Sequence, residues 1–123
     1  MKWKKIILGT LLSCVACGDP HESAREEQLD FVEELVEILS DIRDKDDAMA
    51  AKNELIDLSE RIKEAQAEQA ELEKPTPEQR EAIEEKFSER QKGLEGRLQK
   101  EMMRIFRDQS IRAELDAVMK DFR

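Results

Sequence analysis

Residues 47–107 read DAMAAKNELIDLSERIKEAQAEQAELEKPTPEQREAIEEKFSERQKGLEGRLQKEMMRIFR, and the prolines at 75 and 77 are the only strong break in the stretch. Before the break, Ala48, Ala51, Leu55, Leu58, Ile62, Ala65, Gln69 and Leu72 recur every three or four residues. That is a helical seam in heptad spacing, with Gln69 its one polar member. After the break, Ile83, Phe87, Leu94, Leu98, Met102, Ile105 and Phe106 mark a second apolar side. Thr76 suits an N-cap, Pro77 suits the first turn, where its missing N–H costs nothing, and Gln79 completes a capping box. The pattern predicts two long helices, about 47–74 and 77–107, folded at Pro75 into an antiparallel hairpin. In that register Leu58 falls opposite Leu94 and Ala65 opposite Phe87, with Gly93 and Gly96 allowing closer approach.

Outward from the hairpin, Leu29, Val32, Leu35, Val36, Leu39 and Ile42 predict a helix over about 23–43. Ile111, Leu115, Val118, Met119 and Phe122 predict another over about 109–122, capped by Asp108. A bare hairpin buries little. At about 2 kcal/mol per buried large apolar side chain, one seam struggles against about 1.5 kcal/mol of ordering entropy per residue. The flanking helices are therefore expected to fold back at the open end, beside Ala48 and Ile105, into a small four-helix base. The Pro75 tip would project as a two-helix arm. Self-association through the apolar stripes is the other solution. The composition agrees with an all-α chain: 41% charged, 4% aromatic, four Gly and three Pro in 123 residues. It leaves little for a barrel, a sandwich or a Gly-rich nucleotide fold.

The first residues have a different character. Lys2, Lys4 and Lys5 precede an apolar run over Ile6–Leu12, then Ser13, Cys14, Val15, Ala16, Cys17 and polar Gly18-Asp19-Pro20. A basic start, a short apolar run and a small-residue exit describe a secretory signal. The run falls short of the roughly 20 apolar residues that span a bilayer. Residues 1–17 resemble a bacterial lipoprotein signal, which is cut before a Cys that receives diacylglycerol. Cys17 gives the better length and a small residue before the cut, although Cys14 stands where Leu is usual. Cys14 is the alternative. The resemblance implies a lipid anchor, a tether over 18–22 and a helical domain over 23–123 in the bacterial cell envelope, facing the periplasm or exterior.

Charge is unevenly placed. All thirty acids and eighteen of the twenty-one bases lie after residue 17, a balance of −12 against −9 for the whole chain. Residues 19–74 hold the excess, and residues 75–123 are balanced. Glu22, Glu26, Asp30 and Glu34 stand four apart on the first helix, as do Glu33, Glu37 and Asp41. Like charges at that spacing repel. They suit a solvated face, a basic partner or loosely held cations, or the bases Lys86, Arg90, Lys92, Arg97, Lys100, Arg104 and Arg107 of the third helix. An acidic surface lacks the basic footprint that nucleic acid needs.

A search for chemistry returns little. The single His, His21, falls in the tether, so no Cys–His or Ser–His–acid set can be built. There is no Walker-type loop and no Glu-x-x-His pair. Met102, Met103 and Met119 at core spacing read as packing. The reading is a non-enzyme with no cofactor, no metal and no small-molecule substrate. Thr76-Pro77-Glu78-Gln79-Arg80 with Ile83, within 75–95, resembles the LTxxQ motif of the Spy and CpxP family of periplasmic stress proteins. Thr76 and Gln79 match the motif's polar pair, Pro75 replaces its Leu, and no second copy is visible. That resemblance implies an all-helical chaperone or a stress or metal sensor. The residues themselves favour a membrane-anchored envelope lipoprotein acting as a non-catalytic helical interaction or structural module, working through a protein partner or self-association.

Overall fold

The computed structural model describes residues 19–122, with the side chain of Asp121 excepted. Within them the chain is all α. Helix α1 spans Pro20–Ser40, α2 Lys45–Gln69, α3 Pro77–Arg107 and α4 Gln109–Met119, with a 3-10 turn over Lys120–Phe122. The expected signal, with Cys14 and Cys17, lies outside the described residues.

Each start has a local cause. The Thr76 hydroxyl accepts the Gln79 N–H at 3.1 Å, and the Gln79 side-chain oxygen accepts the Thr76 N–H at 2.9 Å, completing the capping box. Asp108 accepts the N–H groups of Ser110 and Ile111 at 3.0 and 3.3 Å. Asp44 accepts the Asp47 N–H at 2.9 Å, starting α2 two residues earlier than expected. Asp19 accepts the His21 N–H at 2.9 Å with Pro20 in the first turn, so α1 begins three residues before Ser23. Pro20, His21 and Glu22 are thus helix rather than tether. At its other end α2 stops at Gln69, and Leu72 is exposed in the connection instead of closing the seam.

The four helices pack as a small bundle in which α1 lies against α2 and α3, and α4 lies against the same two from the other side. Directions follow from side-chain pairs. Arg61 reaches Glu34 while Gln69 reaches Glu27 and Gln28, so α1 and α2 are antiparallel. Lys86 reaches Glu22, Arg90 reaches Asp30, and Arg104 reaches Leu39, so α1 and α3 are parallel. The two long helices therefore run antiparallel, as a hairpin requires, but they stand across the bundle from one another. Here the detailed register is corrected. Ile83, Phe87 and Leu94 bury themselves with Leu29 and Val32 of α1, while Leu55 and Leu58 pack with Leu39, Ile42, Ile105, Ile111, Leu115 and Met119. The tip is accordingly buttressed by α1 and is not a two-helix arm. Leu29 and Val32 of α1 cover the Ile83, Phe87 and Leu94 face of α3, and ion pairs between Glu22 and Lys86 and between Asp30 and Arg90 reinforce that choice. Gly93 and Gly96 have open space where a Cβ would stand, so they mark no close approach.

Candidate functional site: a largely apolar recess beyond the end of α4

In the base of the bundle α4 bridges α2 and α3. Its apolar residues Ile111, Leu115, Val118 and Met119 are buried, and Phe122 is half-buried at the end. Lys52 donates to Glu114 at 2.9 Å and Ile62 stands with Phe122, so α4 runs the same way as α2. Beyond Phe122 the bridging helix ends while α2 and α3 continue. Among the described residues this leaves a recess of about 420 Å³ lined by α1, α2, Leu98 of α3 and Phe122. Phe31, Val32 and Leu35 come from α1, and Ile62, Ala65 and Gln66 from α2. Among its eleven lining residues only Lys63 carries a charge, in a chain that is 41% charged.

A second recess, about 370 Å³, lies further toward the tip between the start of α1 and the α2–α3 connection. His21, Ala24, Arg25, Leu72, Pro75 and Ile83 are among its walls. The two recesses share Gln28 and Gln69, whose side chains hydrogen-bond at 2.8 Å. Gln69, the polar member of the predicted seam, thus ties α2 to α1. His21 belongs to helix α1 and lines the outer recess.

The acids of α1 find the bases of α3. Glu22 pairs with Lys86, and Arg90 lies 2.6 Å from Asp30 and 3.4 Å from Glu33. These carboxylates hold the Lys86 ammonium and the Arg90 guanidinium above their usual ranges, chiefly through the hydrogen bonds to Glu22 and Asp30. Arg25 crosses on the other flank, 2.8 Å from Glu84 and 3.0 Å from Gln91. Glu22, Asp30 and Glu33 thus make the intramolecular match with α3, while Glu34 pairs with Arg61 of α2.

A separate acidic recess of about 360 Å³ sits at the α1–α2 turn, where Glu34, Glu37, Asp41, Asp47 and Glu54 surround Ile38, Ile42, Ala50 and Ala51. Glu34 is engaged by Arg61, and Asp47 accepts the Arg43 N–H at 3.0 Å. Among the described residues no group of three or more His, Cys, Asp or Glu is arranged to hold a metal ion. Met119 is a core residue, Met102 packs against that core, and Met103 is 54% exposed.

The chain matches no protein-family model, no curated protein and no solved structure. Thr76, Pro77 and Gln79 are accounted for as a helix start. The recess itself was missed in the sequence, because it depends on where α4 stops relative to its neighbours. The signal that could have found it is the mismatch between the 31-residue α3 and the 11-residue α4.

Proposed function

We propose that the chain is a membrane-anchored lipoprotein of the bacterial envelope that acts without chemistry of its own, as a helical module that docks a protein partner. The observation that carries the docking half is the recess beyond Phe122, whose lining holds one charged residue, Lys63, on an otherwise heavily charged molecule. Apolar surface left open in such a setting marks an interaction site. The anchoring half rests on the signal-like residues 1–17. Among the described residues no helix is long and apolar enough to cross a membrane, so the reading puts attachment on the acylated Cys17, with Cys14 as its alternative. Acyl chains contribute about 0.8 kcal/mol per buried CH₂, enough for several chains on one Cys to hold a protein of this size.

Two measurements test it together. Palmitate label is expected in the wild type and in Cys14→Ala, and lost in Cys17→Ala. A photo-crosslinking residue at Gln66 is expected to give a discrete adduct in the intact envelope, and one at the exposed Met49 none. Absence of label in the wild type overturns the anchor, and equal crosslinking from both positions overturns the recess as the docking surface.

A second reading, a Spy-like periplasmic chaperone, draws on the same lining, since glutamines and apolar residues with a single charge among them suit varied clients. It requires suppression of a model client's aggregation, and no effect at stoichiometric excess counts against it.

A further inference from the structure

The outer recess, between the start of α1 and the α2–α3 connection, inverts the charge of the chain around it. Arg25, Lys74 and Arg80 line it, and Glu73 is the one acid among its walls. With His21 counted neutral, three bases against one acid give the lining +2, on a chain whose residues after 17 sum to −12. Arg25 is held by Glu84 at 2.8 Å and Gln91 at 3.0 Å. Lys74 and Arg80 are exposed and have no ion-pair partner among the described residues. Beside them stand Pro75 and Leu72, the latter 37% exposed. The recess also lies at the end of the bundle nearest the expected anchor. Because α1 begins at Pro20, only Gly18 and Asp19 separate Cys17 from the helix. Three chain steps reach at most about 11 Å, close to the ~8 Å over which charge acts at physiological ionic strength. We propose that this recess binds the phosphate of an anionic phospholipid headgroup, so that the anchored chain rests its Pro75 end against the bilayer. This rests on the reading of the chain as a lipoprotein and adds a second contact with the same membrane.

The chemistry of the lining supports that ligand. A guanidinium grips two phosphate oxygens at once, and an ammonium adds a compact charge. Inorganic phosphate would engage the bases and leave Leu72 and Pro75 uncovered, whereas the glycerol and first methylenes of a lipid lie over them. An acyl anchor by itself fixes position and leaves orientation free. Most faces of an acidic chain are repelled by an anionic surface, so free bases at one end select the face that turns toward it.

The single His of the chain, His21, lines the recess and serves as the reporter. The probe is dihexanoyl-phosphatidylglycerol, kept monomeric and titrated at fixed pH into the full chain carrying Cys14→Ala/Cys17→Ala, which has no acyl group. A saturable shift of the His21 imidazole resonances is expected. Binding should be roughly ten-fold weaker in Lys74→Gln/Arg80→Gln. It should be unchanged in Lys92→Gln/Arg97→Gln, which removes the same charge from exposed positions of α3 outside the recess. Lys74 and Arg80 are exposed, so their variant keeps the fold, which far-UV circular dichroism verifies. No saturable shift, or undiminished binding in Lys74→Gln/Arg80→Gln, overturns the site. Equally tight binding of dihexanoyl-phosphatidylcholine overturns the anionic headgroup. Equally tight binding of inorganic phosphate or of a glutamate hexapeptide overturns the lipid as its source. Headgroup binding without palmitate label in the wild type would sink the anchor alone, and label without headgroup binding would sink this site alone.

Discussion

The Arg104 guanidinium lies 2.7 Å from the carbonyl oxygen of Ile42 and also donates to the Leu39 carbonyl at 2.8 Å. A residue of α3 thereby caps the C-terminus of α1, which has no basic residue in its own last turn. The last carbonyls of a helix lack intrahelical donors, and a cation there also meets the negative end of the helix dipole. Glu101 steadies the guanidinium from 2.8 Å.

Arg104→Ala should therefore lower stability by about 1–2 kcal/mol, the scale of a charge-assisted hydrogen bond at a half-exposed site. Arg104→Lys should recover part of it, since one ammonium replaces a two-pronged donor. Urea unfolding measures both. An unchanged midpoint in Arg104→Ala would remove the cap from the account.

The pairing of α3 with α1 predicts energetic coupling. Phe87→Ala and Leu29→Ala should each cost roughly 2–5 kcal/mol, and their combination should depart from additivity by about 0.5 kcal/mol or more. Phe87→Ala with Leu58→Ala should add to within about 0.5 kcal/mol, because those residues occupy different clusters. The reverse pattern would restore the direct α2–α3 seam.

Gly93 and Gly96 sit inside α3 with no positive φ among the described residues and open space at the Cβ position. Gly93→Ala and Gly96→Ala should each raise stability by about 0.5–1 kcal/mol through helix propensity. A loss of stability on either change would mean that a neighbour approaches there after all.

Glu114 has its carboxyl held below the usual range, first by the hydrogen bond from Lys52. A group whose folded value is lowered stabilises the fold above its unfolded value and loses that effect as pH falls through the folded one. The difference in Tm between wild type and Glu114→Gln should be full at neutral pH and shrink as pH falls through and below the ordinary carboxylate range. Asp108, lowered by the Ser110 hydroxyl and the Ile111 N–H, should behave alike in Asp108→Asn. A difference independent of pH would rule out the ionised forms as the source.

What could be read beforehand was local. The Thr76–Gln79 box and the Asp108 cap are decided within four residues, so α3 and α4 begin where the residues alone put them. The stripes of Leu58 and Leu94 were legible as buried faces, but periodicity names a face and leaves its partner open. Phe87 finds Leu29 in place of Ala65 because α1 brings apolar surface and compensating acids together, a choice made by the whole assembly. The start of α1 was hidden because Asp19-Pro20 follows the signal-like segment and reads as its tail. The recess was illegible for a further reason: it is the space left where α4 ends.

The parallel pairing of α1 with α3 also orders events in time. Glu22 and Lys86 meet across 64 residues of sequence. At roughly 5–20 residues per second, a ribosome takes about 3–13 s to make that interval. Throughout it the newly made α1 has no α3 to close on, and its face with Leu29 stays open. The Leu29 face of α1 thus waits several seconds for its α3 partner, and any machinery that must handle α1 in an unfolded form is given that long to engage it.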